Sequence, residues 1–144
     1  MTVKPVPDGF HTVTPYLVVR DVAGLMDFLR DAFGARIKEA VPGPDGKVAH
    51  GEVVIGDSVV MLGEAREEHP PRPSTLYLYI PDCDDAYRRA MEAGATSIMK
   101  PTDMFYGDRN GGVMDPAGNQ WWVATHVEDV PPDEIARRAA ERGK

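Results

Sequence analysis

Cysteine is nearly missing from this chain: Cys83 stands alone among 144 residues. That excludes an internal disulfide and any Cys-x-x-Cys chemistry. Long apolar runs are missing too. No segment approaches the ~18 apolar residues of a membrane helix, and the N-terminus lacks the basic start and apolar run of a secretion signal. The expectation is a soluble, cytoplasmic protein. Basic residues are in deficit, 16 against 23 acids for a net charge of −7, which argues against nucleic acid or an anionic membrane as the main partner. The one basic cluster, Arg137, Arg138 and Arg142, is interleaved with Glu134 and Glu141 and reads as a solvated helix face. Gly-x-Ser-x-Gly, the phosphate-cradling Gly-x-x-x-x-Gly-Lys and the dinucleotide glycine fingerprint are all absent. No cofactor is called for.

What the chain does have is a repeat. Thr14, Tyr16, Leu17 and Asp21 recur at one offset as Thr75, Tyr77, Leu78 and Asp82. The apolar positions Val22, Leu25, Met26 and Leu29 recur as Cys83, Ala86, Tyr87 and Ala90. Two copies point to a duplicated supersecondary unit rather than a solenoid, which needs three or more. Halves of roughly 60 residues are marginal alone, so residues 1–144 are expected to pack as a single domain.

In each half the order is β-α-β-β-β. Strands are expected over 12–19, 37–41, 47–55 and 58–63, with a helix over 22–33 capped by Asp21 and ended by Gly34. The second half repeats this, with strands at 75–80, 96–99, 109–114 and 119–126 and a helix over 83–93. A charged, proline-rich linker spans 64–74, and a tail helix spans about 133–142, its acids first and arginines later. The fold class is therefore α+β: two tandem βαβββ modules forming a curved mixed sheet, with a short C-terminal helix.

Two such units in tandem resemble the vicinal oxygen chelate superfamily, which includes glyoxalase I and the bleomycin-resistance proteins. The stretches Thr14-Pro15-Tyr16-Leu17-Val18-Val19, Asp45-Gly46-Lys47-Val48-Ala49-His50 and Gly107-Asp108-Arg109 look like its PhnB-like branch. So do Asp115-Pro116-x-Gly118 and the run from Trp122 through His126 to Asp129. The resemblance implies a glyoxalase/bleomycin-resistance fold, a concave sheet face that holds a small molecule, and pairing of modules between two chains as a homodimer. It also implies a divalent metal held by His and Glu from the first and last strand of each unit. In this sequence those positions fall at Thr14, Met61, Thr75 and Trp122, none of which suits a hard or borderline cation. No metal site is expected there.

Strand alternation puts His50 and Glu52 on the concave side, with Val53 and Ile55 under the helix. His126 shares the parity of Trp122. These three are of ligand type but lack a tying spacing; His50 and Glu52 pairing by a hydrogen bond, with His126 simply exposed, is favoured over a metal. The same parity gives the concave face Thr14, Tyr16, Met61, Thr75, Tyr77, Tyr79 and Trp122, an aromatic surface with a few polar groups. Arg109 either holds an anionic ligand group, pairs with Asp108 to fix a loop, or meets a partner chain. Trp121, of opposite parity, belongs in the core, as does Cys83.

Three functional readings follow. The first is a metal-independent protein binding a small aromatic or cationic compound through Thr14, Tyr16, Met61, Thr75, Tyr77, Tyr79, Arg109 and Trp122. The second is a glyoxalase-like lyase or isomerase using His50 and Glu52 as an acid-base pair, with or without a non-standard metal. The weakest is a domain with structural duties only.

Overall fold

The computed structural model describes residues 2–142. Met1 of the expected domain and its residues 143–144 lie outside the described residues. The chain runs β1 (Tyr16–Val19), α1 (Val22–Phe33), β2 (Arg36–Pro42), β3 (Val48–Ile55), β4 (Ser58–Glu64), β5 (Thr75–Tyr79), α2 (Cys83–Glu92), β6 (Thr96–Asp103), β7 (Asp108–Met114), β8 (Gln120–His126) and α3 (Pro132–Arg142). These strands form two four-stranded sheets of order β1-β4-β3-β2 and β5-β8-β7-β6. In each sheet the first strand pairs in parallel with the last and the remaining pairs are antiparallel. This is the α+β, twice-βαβββ architecture read from the repeat, with α3 as its short C-terminal helix.

Two strand limits differ from expectation. β1 begins at Tyr16 rather than at residue 12, because Pro15 has no N–H for a ladder and Thr14 Oγ1 turns back to donate to the His11 carbonyl at 3.0 Å. β6 continues to Asp103 rather than stopping near 99. Register shifts around Met99 carry it past Pro101. Gly111 on β7 permits this close approach, since a Cβ there would lie 3.1 Å from the Pro101 nitrogen.

Helices α1 and α2 are each started by an aspartate cap and by a side chain from the last strand of their own sheet. Asp21 accepts from Gly24 N–H at 3.0 Å, and Glu64 at the end of β4 accepts from the amides of Asp21 and Val22, both at 2.9 Å. A carboxylate against the first amides also suits the helix dipole. In the second unit Asp82 caps α2 through Asp85 N–H at 3.1 Å, and Thr125 Oγ1, at the repeat position of Glu64, accepts from Cys83 N–H at 2.9 Å.

Helix α1 buries Val22, Leu25, Met26 and Leu29 against Leu17, Val53 and Leu62 of the first sheet. Gly51 sits beneath it: a Cβ there would lie 2.6 Å from the Met26 sulfur, so a larger residue would push the Met26 side chain aside. Helix α2 buries the smaller Cys83, Ala86 and Ala90. One apolar cluster joins the halves, because Trp121 of β8 is 0% exposed and its ring lies 5.5 Å from that of Phe33 on α1. The helices also touch directly through Arg89 Nε, which donates to the Asp31 carbonyl at 3.0 Å.

Trp121 is held in place by a buried carboxylate. Asp115 Oδ2 accepts from Trp121 Nε1 at 2.6 Å and from Asn119 Nδ2 at 3.1 Å, while Oδ1 accepts from the amides of Ala117 and Asn119 at 2.7 and 3.0 Å. Asn119 Oδ1 in turn accepts from Ser74 N–H at 2.9 Å, tying the start of β5 to the β7–β8 turn. Replacing Asp115 by Ala strands several buried donors at once and should lower stability by about 3 kcal/mol or more. Urea unfolding followed by tryptophan fluorescence checks this; a loss below about 1 kcal/mol would mean the turn is held by other contacts.

Candidate functional site

The side chains of interest come from the sheet faces turned away from the helices. Tyr16 lies opposite Met61 and Met61 opposite Glu52 in the first sheet; Tyr77 lies opposite Trp122 and Trp122 opposite Gly112 in the second. Direct cross-strand partners point to the same side, so each set shares one face. His50, Thr75 and Tyr79 join by alternation along their strands. Thr14 precedes β1 and is engaged with His11.

A cleft of about 880 Å³ runs between the edge strands β1 and β5, closed at one side by the β3–β4 turn. Tyr16, Thr75, Tyr77 and Tyr79 line it. Thr14, Met61, Arg109 and Trp122 lie outside its wall. The rings flanking it rest on glycine: Tyr16 covers Gly63, and Trp122 covers Gly112, where a Cβ would come 2.7 Å from the indole. His50 Nε2 and Glu52 Oε2 are 3.1 Å apart, with Glu52 only 7% exposed, and the His50 ring is 6.0 Å from that of Tyr16.

A richer polar cluster occupies the far end of the second sheet. Asp108, 3% exposed, accepts at Oδ2 from the hydroxyls of Tyr77 and Tyr79 at 2.6 and 2.9 Å, and its Oδ1 lies 2.8 Å from His126 Nδ1. Nε2 of the same imidazole is 2.7 Å from Asp129 Oδ1. Asn110 Nδ2 donates to the Tyr77 and Tyr106 hydroxyls at 3.0 and 2.7 Å, while its Oδ1 is buried without a partner. Burial pushes the Asp108 carboxyl up, but the hydrogen bonds from Tyr77, His126 and Tyr79 outweigh it and leave it below its ordinary value. Hydrogen bonds to Asp108 and Asp129 raise His126. Burial, and then the Asp108 carboxylate, push the Tyr77 hydroxyl up.

His126 is thus a bridge between two carboxylates rather than simply exposed. Neither Asp129 nor Tyr106 has a place in the site as read from the sequence, although Asp129 closes the run that begins at Trp122. The Asp108–His126 contact was legible in principle: counting back along both strands from the Asp115–Asn119 turn sets these residues face to face. Arg109 departs from expectation in another way. Alternation turns it toward α2, where Asp84 accepts from Nε and Nη2 at 2.9 and 3.0 Å and Asp103 accepts from Nη1 at 3.2 Å. Its fork is occupied on the helix side of the sheet, away from the cleft, and it forms no pair with Asp108.

The sequence model of the Glyoxalase/Bleomycin resistance protein/Dioxygenase superfamily matches residues 9–123. The chain belongs to this superfamily. It is 36% identical over 142 residues to the uncharacterized protein Mb0911c of Mycobacterium bovis, covering 91% of this chain and 93% of that one. TioX from Micromonospora sp. ML1 has a similar structure, with TM-score 0.71 at 23% identity over 81% of this chain and 99% of that one. A superfamily protein from Burkholderia phytofirmans PsJN gives TM-score 0.66 at 18% identity, covering 79% and 97%. At these identities the two structures carry the fold alone.

The metal that the superfamily resemblance implies does not fit the residues present. Its four positions carry two hydroxyls, a thioether and an indole, at Thr14, Thr75, Met61 and Trp122, where divalent cations need imidazole or carboxylate donors. His50, Glu52 and His126 do not substitute. The first two bond each other, and His126 is engaged by Asp108 and Asp129 in the other sheet. Among the described residues no three His, Cys, Asp or Glu side chains are gathered to hold an ion.

The Asp108–His126 pair has a defined pH window. Lowered Asp108 contributes stability above its unfolded value, ~4, and loses it as pH falls through the folded value. Raised His126 contributes fully below ~6.5 and loses it as pH rises through the folded value. NMR titration of the imidazole should therefore give a His126 pKa above the ordinary one, and Asp108→Asn should bring it down. An unshifted His126 would remove the pair from solution.

Proposed function

We propose that this superfamily member is a metal-independent small-molecule binding protein whose cleft takes a small aromatic or cationic compound. The observation carrying this reading is the aromatic lining of the β1–β5 cleft by Tyr16, Tyr77 and Tyr79, with Thr75 among them. Flat phenol rings stack on planar ligands and attract cations through their faces. The acid excess of the chain favours a positive charge over a negative one. Trp122 and Met61 sit one strand further out on the same faces and support the rings rather than walling the cleft.

The enzyme reading, a glyoxalase-like lyase or isomerase, rests on the His50–Glu52 bond, since a buried carboxylate orients an imidazole for proton transfer. In that reading His50→Ala keeps the fold and abolishes turnover. We further place the protein in the PhnB-like branch from its sequence stretches, as one cytoplasmic domain; no described helix is long and apolar enough to cross a membrane. We also infer a homodimer. All of β2 is exposed, with Ile37 and Val41 at 45% and 40%, and an uncovered edge strand offers free backbone groups for pairing. Light scattering at micromolar concentration should give twice the chain mass; the monomer mass would refute the dimer.

Ethidium, a planar aromatic cation, is a suitable probe of the cleft. Its fluorescence enhancement should titrate to saturation, and Tyr16→Ala with Tyr79→Ala should weaken binding at least tenfold while Trp122→Phe changes it less. Equal binding by the double variant would place the ligand elsewhere.

A further inference from the structure

A second, smaller cavity lies where the chain leaves β8 for α3. It measures about 410 Å³ and is lined by Tyr106, His126, Asp129, Val130, Pro131 and Ile135. Its polar side is formed by His126, Tyr106 and Asp129. Both ring nitrogens of His126 lie against carboxylate oxygens, Nδ1 at 2.8 Å from Asp108 and Nε2 at 2.7 Å from Asp129. Ionised carboxylates only accept, so with both contacts made the two nitrogens carry hydrogen and the ring is an imidazolium below its raised pKa. Tyr106 is the second donor: its oxygen accepts from Asn110 Nδ2 at 2.7 Å beside the Tyr77 hydroxyl, and its hydrogen can turn from Tyr77 to an acceptor in the cavity.

The two carboxylates on His126 are not equivalent. Asp108 is buried and fixed by two tyrosines, so it stays. The Asp129 side chain is fully exposed, and an exposed ion pair of this kind contributes little. Asp129 therefore stands where an outside carboxylate would bind, at little cost to displace. The remaining walls, Val130, Pro131 and Ile135, are apolar.

We propose that this cavity is a binding site for a small monocarboxylic acid with an apolar body, its carboxylate displacing Asp129 from His126 Nε2 and accepting from the Tyr106 hydroxyl, its body against Val130, Pro131 and Ile135. The site is separate from the β1–β5 cleft and takes the opposite charge. The chain's net charge of −7 opposes an anion at long range, but salt screens that repulsion beyond about 8 Å at physiological ionic strength, and the imidazolium acts at contact. The charged and titratable groups around His126 are Asp108 from β7, Asp129 from the segment after β8, Tyr106 before β7, and Tyr77 and Tyr79 from β5 acting through Asp108. From α3, Arg138 is taken up by Glu128, Glu134 and the Phe105 carbonyl. Binding thus needs the His126 proton and weakens as pH rises through its pKa.

Isovalerate is the probe, with isovaleramide as its neutral isostere, and imidazole and amide NMR shifts are the readout. At pH 6 isovalerate should shift His126 and Tyr106 saturably and isovaleramide should not. Affinity should fall at least tenfold by two pH units above the His126 pKa. Asp129→Asn, which removes the internal competitor, should tighten binding severalfold, and His126→Gln should weaken it at least tenfold with amide spectra still those of the folded chain. Tyr106→Phe, should His126→Gln not fold, must weaken isovalerate at least threefold. Absence of saturable shifts at His126, equal binding of the amide, or weaker binding by Asp129→Asn would each overturn the proposal.

Discussion

The carboxylate of Asp115 is the point on which the two halves of the molecule depend. Buried charge is tolerated only where hydrogen bonds replace water, and here the replacement comes from two backbone amides, one side-chain amide and an indole. The indole belongs to Trp121, the residue that reaches the Phe33 ring on α1. One turn in the second half thereby fixes a contact with the first. Asn119 extends the same network to Ser74 and so to β5, the strand that forms one bank of the cleft. Position of the cleft and integrity of the core are consequences of one set of hydrogen bonds.

Duplication supplied the frame, and small differences between the copies made the surfaces. The helix of the first unit meets its sheet through large side chains and needs Gly51 to come close; that of the second meets it through Cys83, Ala86 and Ala90. On the open faces the divergence is larger. The first sheet keeps an imidazole and a carboxylate paired with each other, whereas the second gathers tyrosines around Asp108. A shared superfamily fold leaves such differences free, which is why chemistry must be argued from the side chains.

Much of this was legible in the sequence because it follows from period and repeat. The buried stripe of α1, the tight turn between β3 and β4, the core placement of Trp121 and the shared face of Tyr16, Tyr77 and Tyr79 all come from counting residues. What escaped depends on geometry between distant segments. Arg109 looked available because nothing in its neighbourhood announces Asp84, twenty-five residues away on a helix. His126 looked idle because its partners arrive from another strand and from a segment beyond the last strand. The start of β1 departs from alternation for a local reason, the missing N–H of Pro15.

The seat of Trp122 on Gly112 has a consequence for whatever lies along β1 and β5. In the first unit the equivalents of this pair are Met61 and Glu52. A pair of identical units would give the cleft two interchangeable banks, and a guest would rest in it equally well after a half-turn. With an indole flanking one bank and a thioether flanking the other, that degeneracy is gone. The groove has a heading, and its two banks are not interchangeable.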